Sequence, residues 1–364
     1  MSMGNGMDNA IAYPLTPESA SELVRASVAA GVTLPAPRRS GTAAFYALSG
    51  DCDPLAEDCV CTIGAFDGIH NGHRYLVADT VADAREWGCR SLVVTFDPDP
   101  GDVLAPDKPA RRLLSCADRL RLLSTLGVDG IVAFPFDSSL QHTGYEPFVL
   151  DVLLGACRAV SIHVGSDFRM GDRNAGDVAA IAEVGAAHGI AVHGIELLSR
   201  GGERLSATRI RRLLLAGELD QATALLGRCH YVRGRVEHGR GEGTSFGFPT
   251  ANVACDPADC MPAEGVYACF VRHGGRAWPA AVNVGAPPTF SDGPRPSFLE
   301  ANLIGFEGDL YGSDVAVTFV RWLRDSRSFD SLDELESTVL GNIAWVRDCL
   351  GKEGIRINDG EVER

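Results

Sequence analysis

Short apolar runs alternate with helical repeats between residues 59 and 226. Apolar residues at helical spacing fill the stretches between the runs, as at residues 117–126 and 145–154. This alternation predicts a parallel sheet with helices on both faces, in which ligands bind at the carboxyl ends of the strands. The apolar runs predict buried strands at residues 60–63, 91–96, 130–134, 159–164 and 190–195.

The pattern changes after residue 230. Strand-like runs such as 265–271 and 277–284 are short and interrupted by Gly and Pro, and helical periodicity returns only at 331–350. This pattern predicts an antiparallel β domain, either a small barrel or a sandwich, that is closed by one C-terminal helix.

Four segments follow from these patterns. Residues 1–50, with a helical pattern at 16–30, form an N-terminal extension to which we assign no chemistry. Residues 51–228 form the α/β domain, 229–350 form the β domain, and 351–364 form a polar tail.

Composition narrows the class of function. The net charge of −15 argues against nucleic acid as a partner, because phosphate backbones need basic surfaces. Lysine occurs only at positions 108 and 352, and neither position belongs to a Walker A loop. The sequence shows no membrane span and no signal peptide. Its eleven cysteines do not have the regular spacing of a disulfide-stabilised protein, which fits a reducing compartment. We therefore expect a cytoplasmic protein that binds small molecules.

The segment 61–76, CTIGAFDGIHNGHRYL, carries the clearest chemistry. An apolar run ends at Gly64, a polar turn follows, and a helical pattern begins beside His70, Gly72 and His73. A helix start suits a phosphate because its N–H groups are free, and Gly72 allows the phosphate to approach the backbone. The two imidazoles can donate hydrogen bonds to charge that builds up during transfer.

This segment resembles the HxGH signature of nucleotidyltransferases. Its longer form, GxFDGxHxGH, is similar to that of the bacterial FAD synthetases. The resemblance implies that His70 and His73 are catalytic. It further implies that Gly64, Phe66 and Gly72 bind the ATP phosphates.

Two further clusters of the first domain resemble the same family. The turn 164–169 is similar to VGxDFxxG, which implies that Asp167 and Phe168 hold the flavin. The segment 205–211 is similar to ISSTxIR and opens a helix with Ser206 as its N-cap and Gly217 at its end. This similarity implies that Ser206, Thr208 and Arg211 bind the triphosphate.

The first domain departs from the family pattern at two positions. Asp99 stands where the family's TFxPHP turn usually has His, and Ala207 replaces the second Ser of ISST. An anion near a polyphosphate costs on the order of 1 kcal/mol, and a lost hydroxyl donor costs roughly 0.5–1.5 kcal/mol.

The second domain contains the run 239–252, GRGEGTSFGFPTAN. Its glycines allow backbone N–H groups to wrap around phosphate oxygens, and Thr250 and Asn252 face one side of a strand together. The run resembles the riboflavin kinase signature. The resemblance implies that Thr250 and Asn252 hold Mg²⁺ and the nucleotide phosphates. It implies phosphate contacts for Gly239, Gly241 and Gly243.

Glu300 lies in a strand-like run among apolar neighbours and matches the family's catalytic glutamate. That glutamate accepts the proton of the riboflavin 5′-hydroxyl, a role for a general base. Asn302 stands where the family often has His. The segments 281–290 and 306–312 are similar to the family's NxGxxPTF segment and FxGDLYG hairpin.

The resemblance covers residues 59–350 and identifies the chain as a member of the bacterial bifunctional riboflavin kinase/FMN adenylyltransferases. It implies a Rossmann-like nucleotidyltransferase domain with a parallel sheet, followed by an antiparallel β-barrel with a C-terminal helix. The implied enzyme phosphorylates riboflavin to FMN with MgATP, then adenylylates FMN to FAD with release of pyrophosphate. Mg²⁺ is the implied cofactor.

Two alternatives stay open at this point. The first is a riboflavin kinase with a degenerate adenylyltransferase domain, which Asp99 and Ala207 favour. The second is a flavin-binding sensor or carrier without catalysis, against which His70, His73 and Glu300 argue, since binding alone does not need them.

Overall fold

The structure is a computed structural model that describes residues 44–47, 55–107, 110–196, 198–238, 249–285 and 298–356. The helical pattern predicted at 16–30 lies outside the described residues, as do Gly239, Gly241 and Gly243 of the glycine run.

The first half of the chain folds around a six-stranded parallel sheet with the strand order β1-β4-β3-β2-β5-β6. The five strands predicted from apolar runs are all present within one residue at each end, so the parallel α/β prediction is confirmed. The strands are β1 (Ala44–Ala47), β2 (Cys59–Ile63), β3 (Arg90–Phe96), β4 (Gly130–Phe134), β5 (Ala159–Gly165) and β6 (Ala191–Ile195).

The edge strand β1 lies within the segment that the sequence assigned to the N-terminal extension. It pairs in parallel with β4, from Ala44 opposite Gly130 to Ala47 opposite Ala133. Four residues are too few to show the alternation or the flanking turns by which a strand is recognised in sequence.

Helices connect these strands. The segment 145–154 was expected to be α-helical; it begins as a helical turn and continues as a π-helix. The helices of this half are α1 (Asn71–Trp87), α2 (Pro100–Leu104), α3 (Cys116–Ser124), α4 (Ser138–Gln141), the turn Tyr145–Pro147, the π-helix Phe148–Ala156, a 3₁₀ turn (Asp172–Asn174) and α5 (Val178–Ala187). Two-residue strands pair Arg169–Met170 with Gly176–Asp177 and Ser199–Arg200 with Glu203–Arg204.

The core of this half lies between the sheet and the π-helix. Val94, Val132 and Ile162 of the sheet are fully buried in one apolar cluster with Phe148 and Leu153 of the π-helix. Burial of such side chains contributes roughly 1.5–3 kcal/mol each, which fixes the sheet beneath its ligand-binding edge.

The second half of the chain folds into a closed antiparallel barrel. Six strands pair in the order β9-β12-β7-β8-β11-β10, and β10 pairs back onto β9. The sequence allowed either a barrel or a sandwich. The pairing of β10 with β9 closes the sheet and shows that it is a barrel. The strands are β7 (Tyr231–Glu237), β8 (Ala251–Cys255), β9 (Gly265–His273), β10 (Arg276–Val284), β11 (Phe298–Leu303), β12 (Asp314–Arg324) and β13 (Ile355–Arg356), which pairs with the start of β10.

Within the described residues, three helices belong to this half of the chain: α6 (Ala207–Leu215), α7 (Leu219–Leu226) and α8 (Leu332–Leu350). Ser331 caps α8 by accepting a 3.2 Å hydrogen bond from the Glu334 N–H. Ile343 and Val346 of α8 pack against Ala268 and Ile304, which confirms the C-terminal helix on the barrel.

Contacts divide the chain into two compact units. Among the described residues, one unit contains residues up to 207 apart from 111–113, and the other contains 111–113 and the chain from 208 onward. The domain boundary at 228/229 stays a prediction. No helix in the described ranges is long and apolar enough to cross a membrane.

Candidate functional sites

The HxGH turn joins β2 to α1 through a strained loop. Phe66 and Ile69 are buried with φ of 54° and 41°, in the left-handed region that non-glycine residues rarely adopt. The Asp67 carboxylate accepts a 3.2 Å hydrogen bond from the Leu114 N–H, which ties the loop to the residues before α3. Such strain is often stored at functional sites.

His70 is the N-cap of α1, and its Nδ1 accepts a 3.3 Å hydrogen bond from the His73 N–H. Because Nδ1 accepts, the proton of the neutral ring lies on Nε2, from which it can be donated to a ligand. The His70 and His73 rings stack with centroids 3.6 Å apart, and Phe66 contacts His73 edge-on at 5.2 Å. His73 Nδ1 is buried and has no hydrogen-bond partner among the described residues.

Gly72 fits tightly between its neighbours. A methyl group at this position would lie 3.2 Å from Nδ1 and Cε1 of His70 and 3.7 Å from Leu205 Cδ2. Any side chain at 72 would therefore displace the His70 ring. At Gly64, an added methyl group would make only ordinary contact with the Phe66 ring, at 3.4 Å.

Both imidazoles are held neutral near pH 7. Burial lowers the pKa of His70 to about 4, despite an opposing backbone hydrogen bond. Burial also lowers the pKa of His73 well below its usual value, and electrostatic interactions with His70 and Arg119 lower it further. Neutral rings at a helix N-terminus can donate hydrogen bonds to phosphate oxygens and accept them from other donors.

Arg119 of α3 is a cation of this site that the sequence analysis missed. Its guanidinium donates to the Phe96 carbonyl, and Nη1 lies 3.3 Å from Asp99 Oδ2. Asp99 also caps α2 by accepting a 2.8 Å hydrogen bond from the Gly101 N–H. The negative charge of Asp99 is therefore paired with the positive charge of Arg119. The sequence did not indicate this pair because 20 residues separate the partners.

The triphosphate residues predicted from ISSTxIR lie at the start of α6. The helix begins directly after half-buried Ser206 and stops before Gly217, as expected. Thr208 is exposed on the first turn, and Arg211 Nε donates to the Arg111 carbonyl at 2.6 Å. Leu205, which lies close to Gly72, brings Ser206 near the HxGH turn.

The predicted flavin residues follow β5 at the carboxyl edge of the sheet. Asp167 is exposed and lies 3.3 Å from Nη1 of Arg204. Phe168 packs against the core, and its N–H donates to the Gly165 carbonyl at 2.9 Å. The edge thus presents one charged and one aromatic group.

In the barrel, strand register brings predicted residues together. Asn252 of β8 lies opposite Glu300 of β11, and Glu300 lies opposite Asn283 of β10. Directly opposite residues of antiparallel strands share a face. The flanking row of Val253, Leu299 and Val284 is buried, so the outer face carries the polar row. It consists of Glu237, Asn252, Glu300 and Asn283, and we call it the outer polar row.

Asn302 lies two residues beyond Glu300 on the same face and is almost fully buried. Its Nδ2 donates a 2.8 Å hydrogen bond to the Pro249 carbonyl, and Thr250 follows directly before β8. Asn302 thereby fixes the segment that leads to Thr250 and Asn252.

Asn283 is a further residue of the candidate barrel site to which the sequence analysis assigned no function. Its Nδ2 donates to the Gly285 carbonyl and its Oδ1 accepts from Ser326 Oγ, both at 3.2 Å. The segment similar to NxGxxPTF contains Asn283, but only register shows that it neighbours Glu300. The predicted phosphate residues Gly239, Gly241 and Gly243 lie outside the described residues.

The α/β sheet with its HxGH turn and the barrel with its outer polar row define a class: two-unit transferases of nucleotidyl and phosphoryl groups. Family models agree with both halves. One described as FAD synthetase matches residues 52–209, and one described as riboflavin kinase matches residues 226–350.

Known proteins are similar along most of the chain. The bifunctional riboflavin kinase/FMN adenylyltransferase of Escherichia coli (strain K12) is 34% identical over 296 residues, which cover 81% of this chain and 94% of that protein. The protein of the same name from Bacillus subtilis (strain 168) is 28% identical over 283 residues, 77% of this chain and 89% of that protein.

A solved structure shares the fold. A crystal structure described as a macrolide-efflux protein from Streptococcus pneumoniae superposes with a TM-score of 0.75 and 29% identity. The match covers 84% of this chain and 99% of that chain. The chain belongs to the family of bifunctional riboflavin kinase/FMN adenylyltransferases.

Proposed function

We propose that the barrel phosphorylates riboflavin and that the α/β unit adenylylates the FMN so formed. The observation that carries this assignment is the outer polar row, in which strand register places Glu300 between Asn252 and Asn283. A carboxylate flanked by amides offers both a proton acceptor and groups that position a substrate.

In the barrel, the 5′-hydroxyl oxygen of riboflavin attacks the γ-phosphorus of ATP, and the bond to the β–γ bridging oxygen breaks. ADP leaves, and Glu300 takes the hydroxyl proton. Catalysis rests mainly on positioning and on neutralising phosphate charge. Backbone N–H groups at Gly239, Gly241 and Gly243 are proposed to surround the phosphates.

The donors at the barrel site fit Mg²⁺. The Thr250 hydroxyl and the Asn252 amide oxygen are hard oxygen ligands of the kind that Mg²⁺ takes together with substrate phosphates. When bound, the ion neutralises charge on the phosphate oxygens. Thr250 and Asn252 are therefore proposed to hold it, with Asn302 fixing the backbone that presents them.

In the α/β unit, a phosphate oxygen of FMN attacks the α-phosphorus of a second ATP, and pyrophosphate leaves. His70 donates from Nε2 and His73 from its ring to the charge that develops on the phosphate oxygens. The triphosphate is proposed to be bound by Ser206, Thr208 and Arg211. Its pocket is proposed to be shaped by Gly64, Phe66 and Gly72, and the flavin to be held by Asp167 and Phe168.

The kinase-only alternative rests on Asp99 and Ala207. The ion pair between Asp99 and Arg119 weakens it, because the carboxylate is compensated by a buried cation. No disulfide joins the described cysteines, which supports the proposal that the enzyme works in the reducing cytoplasm.

Product analysis tests the proposed function. The full chain incubated with riboflavin and MgATP should yield FAD and pyrophosphate by way of FMN. Accumulation of FMN without FAD would identify a kinase alone, and no product would identify a flavin-binding protein.

A further inference from the structure

A second cluster of ligating side chains lies on the α/β unit, outside the residues assigned to either transfer reaction. His163 of β5 lies between two carboxylates of α1: its Nδ1 is 2.8 Å from Asp79 Oδ2, and its Nε2 is 2.8 Å from Asp83 Oδ2. The His193 ring of β6 lies 4.7 Å from the His163 ring, centroid to centroid. Ligand atoms of Asp83, His163 and His193 all lie within 4.8 Å of one another.

The fold brings these residues together by regular geometry. Asp79 and Asp83 are four residues apart and therefore share one face of α1. His163 and His193 are direct partners in the parallel pair of β5 and β6, so their side chains share one face of the sheet. His163 also has the fully buried Thr62 as its partner on β2, and the Thr62 hydroxyl has no hydrogen-bond partner among the described residues.

Both ring nitrogens of His163 lie 2.8 Å from carboxylate oxygens. A histidine that donates its Nδ1–H to Asp79 directs the Nε2 lone pair toward Asp83, which is the arrangement of a metal-ligating histidine oriented by a carboxylate. The geometry therefore directs Nε2 and an Asp83 oxygen toward a common position.

The carboxylate of Asp83 is held in place by its neighbours. Its Oδ2 lies 2.8 Å from His163 Nε2. The Ser161 hydroxyl donates to Asp83 Oδ2 at 2.8 Å. Two contacts thus orient Asp83 within the cluster.

We propose that Asp83, His163 and His193 form a binding site for a zinc-class divalent metal ion, with water as the fourth ligand. Two imidazoles and one carboxylate suit a borderline ion such as Zn²⁺ and not the Mg²⁺ of the barrel site. Asp79 receives the other ring N–H of the ligating His163, the outer contact that orients metal-bound histidines in proteins.

The geometry needs only a small adjustment. Zinc–ligand bonds of 2.0–2.1 Å in a tetrahedron place donor atoms about 3.3 Å apart. The widest pair of the cluster therefore has to close by at most about 1.5 Å, and His163 Nε2 and Asp83 Oδ2, which lie 2.8 Å apart, have to open by about 0.5 Å. His193 is exposed and supplies this movement by rotation of its side chain. Binding displaces any proton on His163 Nε2.

The ion would join α1 to β5 and β6. Helix α1 begins beside His70 and carries His73 in its first turn, so the metal would hold in place the helix that presents the HxGH histidines. It contacts no reacting atom, and its effect is on the stability of the α/β unit by linkage.

The test uses Zn²⁺ alone on the full chain. Protein freed of metal with a chelator is titrated with Zn²⁺ by calorimetry, and Co²⁺ replaces Zn²⁺ for absorption spectroscopy. We expect one ion per chain, a tetrahedral cobalt spectrum without a thiolate charge-transfer band, and a higher midpoint of thermal unfolding with Zn²⁺.

Matched variants locate the ion. His193→Ala removes an exposed ligand without disturbing the core and should abolish stoichiometric binding, while the equally exposed His188→Ala should bind as the wild type does. Asp79→Asn should weaken binding about 10–100-fold. Circular dichroism and thermal scans of the metal-free variants confirm that each is folded.

Three results would overturn the site: no stoichiometric binding by the wild type, unchanged binding by His193→Ala, or a thiolate charge-transfer band. The first would leave His163 as a structural residue held between two carboxylates by hydrogen bonds. The second and third would place the ion elsewhere on the chain.

Discussion

At the scale of single residues, Glu300 owes its proposed function to its place in the outer polar row. Glu300→Gln keeps the shape of the side chain and removes the proton acceptor. We expect riboflavin phosphorylation to fall by ~10²–10⁴-fold with flavin binding retained, because loss of a general base has this size. Steady-state kinetics of riboflavin phosphorylation and equilibrium measurements of flavin binding test this expectation.

Glu237→Gln is the matched control, since Glu237 lies on the same face two strands away. Its kinase rate should stay within a few-fold of the wild type. Equal losses in the two variants would assign the effect to the charge of the row and not to a base at Glu300.

Asp99 is the residue whose interpretation changed most between sequence and structure. Asp99→Asn keeps the cap on α2, since Asn is a good N-cap, but removes the charge that compensates Arg119. We expect a several-fold lower KM for ATP in FAD formation and a free energy of unfolding lower by about 1 kcal/mol.

The exposed Asp107→Asn controls for net charge and should change neither quantity. If Asp99→Asn lowers stability while the KM for ATP stays constant, the Asp99–Arg119 pair is only structural.

The neutral His70 makes stability depend on pH. Its pKa is about 4 in the folded protein, against 6.5 for an ordinary histidine. Between these values the unfolded chain binds a proton that the folded chain does not, so stability falls as pH falls, by about 3 kcal/mol from this residue. His70→Asn, which retains a capping side chain, should flatten the loss of unfolding free energy between pH 6.5 and 4 in denaturant titrations.

His142→Asn alters an exposed histidine of the same unit and serves as the comparison. A pH dependence in His70→Asn as steep as in His142→Asn would show that His70 is not held neutral by the fold.

At the scale of elements, Asn302 links β11 to the segment before β8. Asn302→Asp removes the Nδ2–H donor to the Pro249 carbonyl and keeps the size of the side chain. We expect a higher KM for MgATP with kcat less affected, because the segment positions Thr250 and Asn252 for the nucleotide. Asn302→His, which also has an N–H donor, should have a KM for MgATP between those of the wild type and Asn302→Asp. An unchanged KM in Asn302→Asp would contradict the positioning role.

The elements were predictable where local pattern determines them. The five strands predicted from apolar runs and the helix after Ser331 appear within one or two residues of their predicted bounds, because each combines a buried run with a recognisable start or end. The strand at 44–47 and the π-helix at 148–156 were not predicted, since the first is too short and a π-helix is too rare to be expected from a short apolar repeat.

The site was predictable only as separate motifs. The sequence identifies His70, His73 and Glu300 through their motifs, but the contacts of Arg119 with Asp99 and of Asn302 with Pro249 span 20 and 53 residues. The cluster of Asp79, Asp83, His163 and His193 likewise arises from register and helix phase. No short window of sequence contains such pairs.

At the scale of the whole molecule, His73 and Glu300 lie on different compact units. His73→Ala removes a donor to the developing phosphate charge, which is worth ~10²–10³-fold in comparable sites. We expect FAD formation from supplied FMN to fall by this factor while riboflavin phosphorylation is unchanged. Parallel loss of both activities in a folded variant would contradict the assignment of one reaction to each unit.

The most direct test of this assignment is complementation between the two variants. Glu300→Gln and His73→Ala are each incubated with riboflavin and MgATP, alone and as an equimolar mixture, and the flavins are separated and measured. The account predicts unchanged riboflavin with the first variant, FMN with the second, and FAD only in the mixture, where FMN released by one variant is adenylylated by the other. A mixture that accumulates FMN and forms no FAD, together with a Glu300→Gln variant that adenylylates supplied FMN at one-tenth or less of the wild-type rate, would contradict the account.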